Sequence, residues 1–250
     1  YFIAAAILLT AFFVIESKVK NPMLPLRVLE DRNRAGSYLG SLSIGAGLFS
    51  MFLFLGLFFQ VVLQYSPLRS GFAFLPFTGG IILAAGISSN LLPKFGPRPL
   101  MIPGLLVSAS GLLWLSRLTP TSDYLTHVVP SLVLMSVGMA FVFIPLMTTA
   151  LHNVNHHDTG VASAMINTSQ QIGGSLGTAL LNTVAATAAT NYITSHQEMG
   201  QTVKLFAMVH GFDSAFKVGA ALLIVGAIIL FTTINIGKDS VVESDAVVMH

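Results

Sequence analysis

Apolar residues in this chain come in long runs separated by short polar segments. Six runs of roughly 20 residues, each long enough to cross a bilayer, lie at residues 36–64, 70–92, 100–118, 128–151, 161–188 and 216–236. A seventh, residues 1–15, reads as the tail of a helix whose start lies upstream. Lipid offers no partner for a backbone N–H or C=O, so spans of this length must be helical. The pattern predicts an all-α membrane protein: a six-helix transmembrane bundle preceded by a truncated linker helix.

Composition agrees. The chain is 54% hydrophobic and 9% charged, with mean hydropathy +0.79, whereas a soluble domain carries about 25% charged residues. A water-exposed surface cannot be built from so few charges. The absence of cysteine excludes disulfides, thiolate nucleophiles and Cys-based zinc sites. The chain opens at Tyr1 inside an apolar run, without a basic leader, and reads as N-terminally truncated.

The position of the positive charges orients the spans. Lys18, Lys20, Arg27, Arg32 and Arg34 form the densest cluster. Placing it in the cytoplasm puts Lys94, Arg98 and Lys238 on the same side by alternation, and Arg69, Arg117, Lys204 and Lys217 outside. That bias has the direction of the positive-inside rule. The expected layout is a linker-helix end at 1–15, a cytoplasmic linker at 16–35, the bundle at 36–236 and an acidic cytoplasmic tail at 237–250. Residues 190–215 are expected to form an outer loop, with a weak signal for a short interfacial helix at 203–209.

Amides stand inside the spans: Gln60 and Gln64 near the outer end of the first, Asn90 at the end of the second, and Asn167, Gln170, Gln171 and Asn182 on the fifth. An amide in hydrocarbon is costly unless it faces water or a partner. Two readings stand: a polar lining for a central path, or hydrogen bonds between helices. Beside the amides run aromatic and methionine side chains. Met135, Met139, Phe143 and Met147 repeat every four residues, and Phe52, Phe59 and Gln60 share a face. Flexible Met and flat aromatics suit varied apolar ligands, and equally suit helix packing. Ser169, Gly173 and Gly177 form a small-residue stripe that lets a neighbouring backbone approach.

Other polar clusters have plainer readings. His152, His156, His157 and Asp158 lack the Glu of an HExxH zinc site, and Asp158 or Thr159 is a natural N-cap for the fifth span. Asp213 and Lys217 are i, i+4 neighbours and form a structural pair. No Ser–His pair, carboxylate dyad or HExxH lies in a span, so an intramembrane enzyme is the weakest class of function.

Several motifs resemble the C-terminal part of a major facilitator superfamily transporter, most of all the fourteen-helix drug:proton antiporter branch. They are residues 21–26 (NPMLPL) with the arginines that follow, residues 63–71 (LQYSPLRSG), and residues 160–177 (GVASAMINTSQQIGGSLG), the most specific match. Residues 89–98 (SNLLPKFGPR) resemble a degenerate second copy of the superfamily's inner-loop motif. Leu91, Lys94, Gly96 and Arg98 match; Ser89 replaces a Gly, Pro93 the Asp and Pro97 a basic residue.

The resemblance implies the complete C-terminal six-helix bundle of a secondary active transporter in the cell membrane, a bacterial inner or plasma membrane protein. The activity implied is proton-coupled export of drugs or other amphipathic small molecules. It implies no cofactor, with the proton gradient as energy source. Its partners would be a small amphipathic substrate, protons, the lipid bilayer and an N-terminal transmembrane half that carries the antiporter motif and coupling acids. The first and fourth spans would line the cavity, and the second and fifth would meet the other bundle. With the amide argument, this selects Phe52, Gln60, Met139, Phe143, Asn167 and Gln171 as substrate-binding residues. The alternative is a membrane structural or interaction subunit that does not transport.

Overall fold

The computed structural model describes residues 2–19, 30–196, 200 and 203–235. Lys20, Arg27 and the NPMLPL motif, and the tail from 237 on, lie outside the described residues. Those described are helical with no strand, as the apolar runs require.

The helices are α1 (Phe2–Glu16), α2 (Arg32–Leu57), the short α3 (Pro67–Phe72), α4 (Leu75–Phe95), α5 (Arg98–Leu115), α6 (Val129–Leu151), α7 (Thr159–Ser195) and α8 (Val203–Thr233). A π-helical turn at Phe58–Val62 extends α2, and another at Tyr124–Val128 precedes α6. Local chemistry sets the starts. Asp31 accepts the Asn33 and Arg34 N–H groups at 3.0 and 2.9 Å before α2, and Asp123 accepts those of Leu125 and Thr126 before the second π turn. Gln64 ends the first π turn in the left-handed region, with φ 54°.

The packing is two-fold in character. α2 packs on α7 and α8, α6 packs on α4 and α5, and α5 packs on α8. Exchanging α2 with α6, α4 with α7 and α5 with α8 maps these pairs onto one another, as two three-helix repeats would; α7 also packs extensively on α8, whereas its counterpart α4 barely touches α5. Between them lies the core of Phe54, Phe58, Phe59, Met101, Leu105, Leu112, Leu132 and Phe216, all fully buried. Several buried hydroxyls bond within their own helices: Ser108 donates to the Gly104 carbonyl at 3.0 Å, Ser136 to Val133 at 2.8 Å and Thr149 to Pro145 at 2.7 Å, whereas those of Tyr38, Ser41 and Ser88 are buried without a partner.

The structure differs from the sequence reading in three places. Among the described residues, five helical stretches are long and apolar enough to cross a membrane, and α7 is not one of them. It covers the expected fifth span and runs on to Ser195, but Asn167, Thr168, Gln170, Gln171 and Asn182 dilute its apolar character. Residues 203–215, expected as outer loop, are the first turns of one 31-residue helix. Val203, Ala207, Val209 and Phe212 are buried there, and Gly211 lies against the Ala185 carbonyl of α7; the polar His210, Asp213 and Lys217 mask this buried face in the sequence. Asp158 sits at the N-cap position of α7 in helical φ/ψ and makes no capping hydrogen bond. The preceding 3₁₀ turn at His156–Asp158 leads straight into the helix, and the Asp158 carboxylate lies 3.5 Å from His157 Nδ1.

Candidate functional site

A seam between α2 and α7 borders a cavity. A Cβ at Gly173 would overlap the Leu42 carbonyl group of α2, and one at Gly45 would overlap the Gln170 carbonyl of α7. The absence of side chains there lets the two backbones touch. Beside the seam Phe49 lies across Gly174, where a Cβ would come within 2.6 Å of the ring. The close seam and the bulky residues flanking it leave a hollow of about 680 Å³. Leu48, Phe49, Phe52 and Leu53 of α2 form one wall, Phe143 of α6 a second, and Gln170 and Thr178 of α7 the third.

The hollow is apolar, with the Gln170 amide and the Thr178 hydroxyl as its polar points and no charged side chain in its lining. Phe52 is held by Phe74 and Phe77, with ring centroids 5.0 and 5.4 Å away. Phe74 also contacts Phe59, which stacks on Tyr65. Tyr124 closes this aromatic group, its ring 6.0 Å from Phe59 and its hydroxyl donating to the Ala73 carbonyl at 3.0 Å. Such a surface recognises ligands through dispersion and ring stacking, with one amide to orient them.

Of the six residues selected from sequence, Phe52 and Phe143 lie together in this lining. Met139, one turn from Phe143, is fully buried in the core and backs the wall. Gln60, Asn167 and Gln171 are exposed and stand outside the hollow; the Asn167 amide donates to the Ser163 carbonyl at 3.2 Å. Leu48, Phe49, Leu53, Gln170 and Thr178 also line it and were not selected from sequence. The signal was available: Gln170, Gly174 and Thr178 recur every four residues, one position after the Ser169–Gly173–Gly177 stripe.

The other polar clusters take simple forms. Lys217 Nζ donates to Asp213 Oδ2 at 2.9 Å. Among the described residues, no group of three His, Asp or Glu could hold a metal ion, and the His156 side chain lies outside them.

The family profile described as Major Facilitator Superfamily matches residues 1–178. The chain belongs to the major facilitator superfamily. It is 37% identical over 236 residues, 93% of its length, to a puromycin resistance protein of Streptomyces alboniger, of which this covers 47%. It is 30% identical over 203 residues, 80% of its length, to a multidrug resistance protein B homologue of Mycobacterium tuberculosis, covering 37% of that protein. It is 35% identical over 179 residues, 70% of its length, to a cephamycin export protein of Amycolatopsis lactamdurans, again covering 37%. The chain therefore spans less than half the length of these relatives. It is a multi-pass membrane protein of a transporter superfamily with bacterial relatives.

Residues 89–98, which resemble a degenerate copy of the superfamily's inner-loop motif, span the end of α4 and the turn into α5. Gly96 takes φ 79° there, a left-handed conformation that strains any residue with a Cβ. This glycine brings Lys94 and Arg98 to the same end of the bundle.

Proposed function

We propose that this chain forms the C-terminal wall of a proton-driven exporter of drugs and other amphipathic small molecules, in the fourteen-helix branch of the superfamily. The observation that carries this reading is the apolar, aromatic, uncharged hollow between α2, α6 and α7. Burying roughly 100 Å² of a ligand's apolar surface there would contribute about 2.5 kcal/mol, enough to hold many compounds weakly and few tightly. An exporter of varied substrates needs that balance. Resistance and export proteins among its relatives support it.

In this reading residues 1–15 end a linker helix, 16–35 form a cytoplasmic linker, 36–236 the C-terminal bundle and 237–250 a cytoplasmic tail. An N-terminal bundle supplies the facing wall. The exposed apolar residues of α4 and α7, such as Ile82, Leu83, Leu176 and Leu180, then meet that bundle or lipid. Alternating access arises from rocking of the two bundles about the hollow. Since the lining offers no carboxylate, the groups that exchange protons lie elsewhere in the transporter.

The test is a chimera with this chain joined behind the N-terminal half of the Streptomyces alboniger relative. Everted vesicles carrying it should accumulate puromycin during respiration and release it on addition of a protonophore. Phe143→Ala should weaken the accumulation, and the chain alone should give none. Accumulation indifferent to the protonophore would refute proton coupling. A well-expressed, inert chimera would favour a non-transporting subunit.

A further inference from the structure

Among the described residues, the hydroxyls of Tyr38, Ser41 and Ser88 are buried without a hydrogen-bond partner. Tyr38 is 5% exposed and Ser41 1%. Buried hydroxyls are normally bonded, and an unpaired one is costly. Ser88 stands apart on α4, with Ala84, Ala85, Leu91 and Leu92 three and four residues away. Tyr38 and Ser41 stand together on α2, three residues apart, and so are neighbours on one face of the helix. The local backbone does not account for them. Ser37 and Ser50 on the same helix each donate to the carbonyl four residues back, Ser37 to Asn33 at 2.9 Å and Ser50 to Ala46. Ser41 makes no such bond to Ser37, which leaves its hydroxyl for a group outside α2.

The face that carries Tyr38 and Ser41 continues at helical spacing through Gly45 to Leu48 and Phe52. Gly45 is the seam contact with Gln170, and Leu48 and Phe52 line the hollow. The two hydroxyls therefore extend the α2 wall of the hollow toward the start of the helix, with Ser41 seven residues, about 10 Å, from Leu48. That start lies at the end of the bundle where α4 turns into α5: Arg32 donates to the Thr232 carbonyl of α8, and the Arg98 guanidinium lies over Phe231 of the same helix. Beyond Tyr38, Arg34 Nε stands 3.9 Å from Asp31 Oδ1, and both charges act on the Tyr38 hydroxyl. They are opposite in sign, so they favour no net charge in a ligand.

We propose that Tyr38 and Ser41 form an entry subsite for the uncharged polar end of an amphipathic substrate: a hydroxyl, amide or ester group. The inference rests on the reading of the hollow as the substrate site. The Tyr38 O–H donates to a carbonyl or ether oxygen of the substrate, and the Ser41 oxygen accepts from a substrate hydroxyl or amide N–H. The apolar part of the same molecule then moves along the α2 face past Gly45 into the hollow. In the closed bundle no protein group competes for either hydroxyl, so the substrate gains both bonds without breaking one inside the protein.

Initial rates of uptake into everted vesicles carrying the chimera test this, with thermal melts of the purified protein beside them. The probe is puromycin, which carries hydroxyl and amide groups. Tyr38→Phe and Ser41→Ala should each raise KM about three- to tenfold, the worth of one hydrogen bond. Both should keep or raise Tm, because neither hydroxyl has a partner to lose. Ser108→Ala, whose hydroxyl bonds within its own helix, should leave KM unchanged. An unchanged KM in both Tyr38→Phe and Ser41→Ala would overturn the subsite. If Phe143→Ala weakens accumulation in the same vesicles, the hollow stands without the subsite; if it does not, the reading of the hollow falls as well. A lowered Tm in Tyr38→Phe and Ser41→Ala would show that the hydroxyls serve bonds within the bundle, and would also overturn the proposal.

Discussion

Gly173→Ala adds one methyl group to the tightest helix contact near the candidate site. An ideal Cβ on Gly173 overlaps the Leu42 carbonyl oxygen and stands 2.6 Å from both the Leu42 carbonyl carbon and its Cα. These are backbone atoms in the middle of α2, so no rotamer change can make room. Ordinary carbon–carbon contact is about 3.5–4.0 Å, so the two helices must separate by roughly 1 Å. The separation also loosens Gly45 from Gln170 and Gly177 from Ala46, which share the seam. Overpacking of this sort costs about 1–3 kcal/mol, and a domain of this size loses about 2–4 °C in Tm for each kcal/mol. Thermal unfolding of detergent-purified protein, followed by size-exclusion chromatography, should fall by about 3–10 °C for Gly173→Ala and further for Gly173→Leu. Gly86→Ala on α4, where a Cβ meets nothing within 4 Å, should match or exceed the parent, because alanine favours a helix over glycine by about 1 kcal/mol. A Gly173→Ala protein that melts with the parent would show that the seam is not close-packed, and the hollow built on it would lose its basis.

Three further outcomes follow from other contacts. Tyr124→Phe removes the hydroxyl donated to the Ala73 carbonyl and should cost about 0.5–1.5 kcal/mol, read as a Tm loss of a few degrees with the helical circular dichroism unchanged. Asp123→Ala removes the cap of the second π turn and should cost about 1 kcal/mol, whereas Asp123→Asn should keep most of it. Lys217→Met strands the largely buried Asp213 carboxylate and should destabilise by roughly 1–2 kcal/mol; the double change with Asp213→Asn should recover most of the loss in the same melt.

Long apolar runs made the helices legible, because hydrocarbon leaves a chain no alternative. One side of the α2–α7 seam was legible too, since Ser169, Gly173 and Gly177 are small at helical spacing and small residues mark close approach in lipid; that α2 is the neighbour was not. The start of α8 was not: the Asp213–Lys217 pair was read from its spacing, but His210, Asp213 and Lys217 interrupt the apolar run, and the burial of Val209 and Phe212 that extends the helix back to Val203 depends on packing. For the site, the argument that amides in a span must face water or a partner drew attention to Asn167 and Gln171. It could not choose a face. Gln170 and Gln171 are chemically identical and stand about 100° apart on a helix, and only the position of α2 decides which of them reaches the hollow. Met139 shows the same limit, for it shares a stripe with Phe143 yet lies on the buried side of it.

The account rests on the hollow's being an open ligand site, and thiol accessibility measures that directly. The chain has no cysteine, so single replacements at Phe52, Phe143, Gln170 and Met139 report without background in this chain. In reconstituted protein, cysteines at the first three positions should react with a water-soluble maleimide, and saturating puromycin should slow each reaction several-fold, while the Met139 position stays silent. Labelling at Met139, or labelling at Phe52, Phe143 and Gln170 that puromycin and other amphipathic compounds leave unchanged, would contradict the assignment.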